Sequence, residues 1–317
     1  MYIKLTFKVK INLHDLNNER GVGNYVDIRT VWTIDSQGNL RRVPAISGNM
    51  LKHWHFIYMK RYLESKGYDK FCKYCKQEEA YRVPPDDLRV KKVSDVKNAS
   101  ELEKIFVETC AIEDAHGFLF PGGKGVVNVR RESRIKFSWM IPAEGFEAKI
   151  DTATHTRVAR AAAEEEQQQM IFYKQYSSGI YGFSAAVDLS LIGYLHLQNS
   201  YIDKEDVKIR REAAVMAFLP LLGGEMGASL ARALPLIEPL EALAISSSKP
   251  IPLPVPAIYK NYLEKNAELF RSLSKTIEDL TVFVYPAELA NKFKDVKNVV
   301  PTRSLGEFFQ KILEKVK

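Results

Sequence analysis

Apolar and polar residues alternate strictly at the start of the chain. Ile3, Leu5, Phe7, Val9 and Ile11 fall on one side, and Tyr2, Lys4, Thr6, Lys8 and Lys10 on the other. A period of two predicts a half-buried strand, here with a wet face carrying three lysines. Leu13 to Val43 reads as a loop, rich in Asn and Gly, with Arg20, Arg29, Arg41 and Arg42. After Pro44 the period changes. Met50, Leu51, Trp54, Ile57, Tyr58 and Tyr62 recur at helical spacing, which predicts a core-facing helix capped by Ser47 and stopped at Gly67.

Residues 68 to about 148 break the pattern with Pro84-Pro85, Asp86-Asp87, Pro121-Gly122-Gly123 and many charges, as expected of an insertion projecting from the core. Strand patterns return at Ala148–Val158 and Met170–Leu197, where Tyr181, Phe183, Ala185, Val187 and Leu189 alternate. A second helix is predicted from Asp203, with Asp206 completing an approximate capping box, to a stop before Pro220. A glycine-rich loop from Gly223 follows, then a short strand at Ala242–Ser247 and prolines at 250, 252, 254 and 256. Strand–helix–strand–strand–helix–strand is the order of a ferredoxin-like, split βαβ α+β fold.

Composition narrows the class. A hydrophobic share of 46% with 27% charged residues is globular and excludes disorder and collagen-like repeats. The longest strongly apolar stretch, Ala213–Gly224, is broken by Pro220 and too short to span a bilayer. The alternating start is no signal peptide, and an odd count of 3 cysteines fits a reducing compartment. The expectation is a soluble cytoplasmic protein without membrane contact. Residues 1–150 hold 26 Lys/Arg against 19 Asp/Glu, and residues 151–317 hold 20 against 20. A basic excess confined to one half points to a polyanion partner.

Few motifs carry specific chemistry. Gly117 to Gly125 resembles a phosphate loop, but Lys124 stands one place late and no Ser or Thr follows it. His53 and His55, two apart on a helix, face different ways and cannot share a metal. Cys72 and Cys75 form a lone CxxC that, with Cys110 and His116, gives a candidate zinc set. The alternative is unlinked thiols. Ser47 to Trp54 opens a helix directly after a basic loop, and a helix N-terminus favours phosphate. Lys52 and His53 lie one turn in, while Gly223, Gly224 and Gly227 allow close backbone approach, with Arg232 nearby.

Several of these segments resemble the DevR-type backbone subunit of the archaeal type I-A CRISPR Cascade, within the RAMP (Cas-seven) superfamily. They are Val22-Gly-Asn24 through Arg29, Val43 to Asn49, Gly117-Phe-Leu-Phe120, Arg130 to Lys136 and Met140 to Ala143. His155-Thr-Arg157, Ser177 to Phe183, Leu221 to Gly224 and Leu234-Pro235 complete the set. The likeness runs from the first strand to about residue 245. It implies a modified RNA-recognition palm (residues 1–67 with 149–250), inserted fingers (68–148), a thumb near 156–169 and a C-terminal extension (251–317). It also implies copies stacked head to tail along CRISPR RNA with other Cascade subunits, holding the guide for pairing with target DNA.

Carried over by motif, the RNA contacts fall on Arg29, Ser47, Asn49, Lys52, His53, His155, Arg157, Gly223 and Gly224. The resemblance implies no cofactor and no catalysis. Ser178 to Phe183 lacks the aromatic signature of ordinary RNA-recognition motifs, so sequence-neutral backbone contact is expected in place of base stacking. Ala161 to Gln169 favours helix, an unusual thumb. Two rival readings remain: a metal-dependent ribonuclease of the type III kind using Asp27 or Asp35, and a DNA-binding autoregulator.

Overall fold

A computed structural model describes residues 1–79, 81, 87–88, 91–92, 96, 98–121, 127–158, 169–227, 230–231 and 233–316. Expectations for 84–86, 122–126, 161–168 and Arg232 lie outside these residues. Side chains at 18–22, 87–88, 91–92, 157–158 and 169–170 also lie outside them.

The alternating start forms β1 (Tyr2–His14). The segment read as a loop is two hairpins, β2 (Asn18–Val22) with β3 (Tyr25–Ile28), and β4 (Thr30–Ile34) with β5 (Leu40–Pro44). Helix α1 (Gly48–Ser65) is capped by Ser47, whose hydroxyl accepts from Met50 N at 3.2 Å. The insertion contains α2 (Lys73–Lys76), β6 (Asp87–Leu88), β7 (Lys91–Lys92), α3 (Ala99–Thr109), α4 (Ala111–His116), β8 (Phe118–Phe120) and β9 (Val129–Arg131). Then come β10 (Ile135–Phe137), β11 (Ile141–Pro142), β12 (Lys149–Val158) and β13 (Gln169–Asp188). Strand β13 stops at Asp188, short of the expected Leu197, because Leu189–Leu191 turn into a 3-10 helix.

The small pair β14 (Tyr194–Leu195) and β15 (Ser200–Tyr201) leads into α5 (Lys204–Met216). Asp203 caps α5, accepting from Glu205 N at 2.9 Å and Asp206 N at 3.3 Å. The expected capping box gives way to an ion pair, since the Asp206 carboxylate takes Lys70 Nζ at 2.5 Å. Helix α5 ends at Met216, before Pro220 as expected. Pro220 belongs to the next short helix, in the first turn of α6 (Phe218–Gly223), where a missing N–H costs nothing. The chain finishes with β16 (Leu236–Ser247), α7 (Tyr262–Leu273), β17 (Thr281–Tyr285), β18 (Val299–Pro301) and α8 (Leu305–Val316). Strand β16 is twice the expected length, with a bulge at Pro239 opposite the Lys8–Val9 step, where its missing donor is tolerated.

The main sheet runs β18-β17-β16-β1-β13-β3-β2, and β10, β11 and β12 also pair with β13. Strand β13 serves two structures along its 20 residues. Its Ser177–Asp188 half pairs antiparallel with β1 on one side, and with β10 and β11 on the other. Its Gln169–Tyr176 half pairs with β12 and, at Tyr173–Lys174, with β3, and Ser177 is shared between β1 and β12. Residues 135–142, grouped by sequence with the insertion, therefore belong to the main sheet.

Ile3, Leu5, Phe7, Val9, Tyr181, Phe183 and Phe283 face α1, α6 and α8 in one core. The opposite face was expected to be wet and is not. Leu243, Ile245, Val282 and Val284 alternate to that side and pack with Tyr262, Ala267 and Phe270 of α7. Thr6 is buried and accepts from Ala257 N at 2.8 Å. Lys8 meets Glu241 at 2.7 Å and lies 4.7 Å from the Tyr262 ring centroid, and Lys10 pairs with Glu238. Residues 251–317 are thus built into the sheet and its second cover.

A buried ionic network fixes the insertion to this body. Asp114 accepts from Arg131 Nη2 at 2.5 Å, Arg210 Nη1 at 2.9 Å and Gly193 N at 2.9 Å. Arg131 also reaches Glu103 at 3.2 Å and the carbonyls of Leu191 and Tyr194. Arg210 donates to the carbonyls of Val107 and Glu108 and to the Tyr68 hydroxyl. The side chains of Asp114, Arg131 and Arg210 are 0% exposed.

Removing one partner of such a network strands the other charges. Asp114→Ala is expected to cost about 3–5 kcal/mol in urea unfolding, whereas Glu132→Ala, which loses only an exposed pair with Arg130, should change stability by less than about 0.5 kcal/mol. His14 supplies a pH test. Burial holds its folded pKa at about 4, below the ordinary 6.5, against the opposing pull of Asp15. The unfolded chain takes up this proton first, so the contribution is complete above pH 6.5 and is lost as pH falls towards 4. Up to about 3 kcal/mol should go over that window, and His14→Gln should flatten this part of the stability–pH curve.

Candidate nucleic-acid interface

Helix α1 begins beside the end of β1, and Asn17 ties the parts together. Its side-chain oxygen accepts from Ser47 N at 2.9 Å, and its carbonyl accepts from Arg29 N at 2.8 Å. The Arg29 carbonyl in turn accepts from Ala45 N at 2.9 Å. The Arg29 guanidinium stands 5.9 Å from the Trp139 ring centroid, and its Nε, buried, has no hydrogen-bond partner among the described residues. An unanswered cationic N–H suits an anion, and the bond to Ala45 sets the Arg29 backbone beside the segment that leads into the cap of α1. Ser47 serves that site indirectly, because its hydroxyl is used as the helix cap. Asn49 is exposed, and Lys52 and His53 are half-buried one turn further on. His53 meets Trp54 and Phe56 edge-on.

His155 and Arg157 stand apart, on the β12–β13 hairpin. The His155 ring stacks on Phe172 at 5.1 Å, and its Nε2 is 3.1 Å from the Tyr176 hydroxyl. Arg157 is paired with Met170 in register, and its side chain lies outside the described residues. Strand β3 joins the two groups. Tyr25 stacks on Tyr173 at 4.8 Å, Ile28 N donates to Gln175 at 3.1 Å, and the strand runs directly into Arg29. Asn17, Trp139, Tyr25 and Phe172 were missed by sequence. Tyr25 lies within the Val22–Arg29 motif and Trp139 stands beside the Met140–Ala143 motif, while nothing in the sequence pointed to Asn17 or Phe172.

The two candidate loop glycines differ. Gly223 is exposed, and a Cβ there would meet nothing within 4 Å. At Gly224 a Cβ would fall 2.1 Å from the Pro220 carbonyl oxygen and 2.8 Å from the Tyr58 hydroxyl. That hydroxyl donates to the Glu225 carbonyl. The loop closes on Leu16, whose Cδ2 lies 2.6 Å from a Cβ built at Gly227, so it borders the Asn17 junction.

The expected zinc set is only partly assembled. The sulfurs of Cys72, Cys75 and Cys110 lie within 4.8 Å of one another, all buried. His116 is not with them. Its Nε2 is 3.1 Å from Nδ1 of His55, in the core between α1 and α4. Hydrogen bonds from Cys110 and Cys75 hold the Cys72 thiol well below its ordinary pKa, while burial pushes Cys110 up. Among the described residues this trio is the one group of three or more His, Cys, Asp or Glu ligands close enough to share an ion. Asp27 and Asp35 are not in it. Asp35 closes the β4–β5 turn, accepting from Asn39 N at 2.8 Å and Gln37 N at 3.0 Å, and pairs with Arg41 at 2.9 Å. Among the described residues no helix is long and apolar enough to cross a membrane.

A mixed sheet carrying a long hairpin and a large helical insertion defines an α+β fold. The profile of the family described as "CRISPR-associated negative auto-regulator DevR/Csa2" matches residues 5–267, and the chain belongs to that family. It is similar to "CRISPR-associated protein Cas7/Cst2/DevR" of Methanocaldococcus jannaschii, 31% identical with 100% of both chains covered. The protein of the same name from Thermoproteus tenax is 29% identical, over 99% of this chain and 95% of that one. "CRISPR-associated aCascade subunit Cas7/Csa2 2" of Saccharolobus solfataricus is 28% identical over 80% of this chain and 82% of its own. In fold the chain resembles a chain of a solved "CRISPR RNA-guided surveillance complex, pre-nicking", with a TM-score of 0.57, 12% identity and 100% coverage of both. The likeness extends past residue 245, through the tail.

The glycine loop yields a prediction. Gly224→Ala should destabilise the protein by about 1–3 kcal/mol through overpacking. Gly223→Ala, in the last turn of α6, should leave the melting temperature unchanged or slightly higher.

Proposed function

We propose that this protein is a backbone subunit of a type I-A Cascade, binding CRISPR RNA by its phosphates and assembling copy against copy along it. In this reading it presents the guide for pairing with target DNA, works in the cytoplasm beside other Cascade subunits, and does not itself cut. The carrying observation is Arg29, a cation with an unanswered Nε whose backbone carbonyl is bonded to Ala45, two residues before the Ser47 cap of α1. Membership of the DevR/Csa2 family and the basic first half support it.

The antiparallel order β16-β1-β13, with β10 and β11 on the far side of β13, supports reading the body as a ferredoxin-like palm. The β12–β13 hairpin is then the thumb. In an RNA-recognition motif the helix-free sheet face stacks bases, but here residues from 251 on occupy it. That favours backbone contact at the helix entry, which suits a guide of any sequence. A neighbouring copy has a surface to meet. Trp32, Ile34 and Leu40 are 67%, 64% and 66% exposed and share one side of the β4–β5 hairpin. Use of the Asp35 carboxylate in its turn weighs against the ribonuclease reading.

RNA titrations at rising salt test the proposal. With about five phosphates neutralised, log K should fall against log salt with a slope near −3.5, at about 0.7 per contact, whatever the RNA sequence. Arg29→Ala and Lys52→Ala should each weaken binding by roughly 10- to 150-fold, the range of a lost charged hydrogen bond, with unchanged melting curves. Complex mass should step up with RNA length and be blunted on deletion of 156–169, and guide and target should stay intact with Mg²⁺. A flat salt response, or one protein per RNA at every length, would overturn the reading.

A further inference from the structure

The three cysteines belong to the base of the insertion, away from Arg29 and the hairpin, and the proposed RNA binding does not use them. Cys72 is the N-cap of α2, and Cys75 lies one turn on, with Lys76 N donating to the Cys72 carbonyl at 3.0 Å. Cys110 is the hinge residue between α3 and α4, ending one helix and starting the next. A backbone bond from Ala111 N to the Lys70 carbonyl, 3.0 Å, holds that hinge against the strand of chain entering α2. Three sulfurs from two separate segments thus converge within 4.8 Å at a point 1% to 3% exposed. One turn beyond Cys110, Glu113 is 1% exposed and sets its Oε1 3.6 Å from Cys75 Sγ.

We propose that this cluster is a structural zinc site, with Cys72, Cys75 and Cys110 as thiolate ligands and Glu113 swinging in as the fourth. The sulfur geometry is close to what the ion needs, whereas Glu113 reaches Cys75 but is not within 4.8 Å of all three sulfurs, so its side chain must turn towards the ion. Zinc–sulfur bonds of about 2.3 Å in a tetrahedron put sulfurs about 3.8 Å apart, so the trio closes on an ion by shifts of less than about 1 Å. Thiolate-rich donor sets select zinc over magnesium or calcium. Three thiolates and a carboxylate bury four negative charges in an apolar core, which a dication halves, and binding releases to solvent whatever protons the thiols still hold. Two thiols in CxxC spacing explain only a shared turn. The arrival of a third thiol from the α3–α4 hinge, with a buried carboxylate beside them, is what a ligand set requires. The ion would clamp α2 to that hinge, next to the Asp114 network, and so fix the insertion where it leaves the palm. This inference does not depend on the RNA-binding reading.

Metal analysis of the full chain, purified without a polyhistidine tag or chelator under reducing conditions, tests it. About one zinc per chain is expected, released by a strong chelator with a fall in melting temperature that added zinc reverses. Cobalt loaded in its place should show sulfur-to-cobalt charge-transfer bands of three thiolates and the visible bands of a tetrahedral ion. Cys72→Ser and Cys110→Ser should each lose most of the metal. Should those variants fail to fold, the wild-type metal content and cobalt spectrum still decide. Glu113→Gln should shift the visible bands and leave the charge-transfer bands in place; an unchanged spectrum overturns Glu113 as the fourth ligand. Metal-free protein with three titratable thiols, whose melting curve ignores zinc, overturns the site.

Discussion

Two arginine side chains with no access to water can be tolerated only where carboxylates and carbonyls answer them. Asp114 is the centre of that answer. It binds Arg131 at the end of the insertion, Arg210 on α5 and the backbone of Gly193. Helix α1, whose first turn opens the candidate interface, is positioned at one remove by this carboxylate. Helix α1 packs against α4 and α5, and His55 bridges them, touching His116 at 3.1 Å and the Ala214 carbonyl at 3.0 Å. The helix that carries Ser47 is therefore held from behind by hydrogen bonds to α4 and α5, which the buried ion pairs fix in turn.

The sequence was legible where the physics is local. Period-two alternation identified β1 and the palm half of β13, and a serine before a helical run identified the start of α1. What could not be read depended on distant partners. Thr6, Lys8 and Lys10 look like a wet face in isolation. They are covered or paired by residues more than 200 positions away, as with Thr6 and Ala257 at a separation of 251. Asp206 had the spacing of a capping box but lost it to Lys70, an ion pair made across 136 residues. His116 was a candidate fourth zinc ligand beside the three cysteines, but its ring faces His55. Asn17, the hub of the helix entry, is one of many asparagines in its segment and carries no pattern at all.

Two uses of one sheet follow from its double cover. With helices on one face and the C-terminal layer on the other, neither face is open for a ligand along most of its width. The candidate binding groups lie instead at the rim, where β1 ends, β3 turns into Arg29 and α1 begins. Rim sites made of helix termini and backbone groups discriminate charge and shape but carry little base information, which fits a partner whose sequence varies.

Strand β13 has a further consequence, for how such a protein can change over time. Because its two halves are one uninterrupted strand, the hairpin inherits its facing from the palm. A single residue gained or lost near Ser177–Gly179 would turn every side chain of the outer half to the opposite side, exchanging Phe172 and Tyr176 for Tyr173 while the inner half stayed in place. Length variation between relatives is then tolerable only beyond the paired region, past Val158 and before Gln169. The hairpin can be lengthened or re-tipped freely, but its register is as constrained as that of the core.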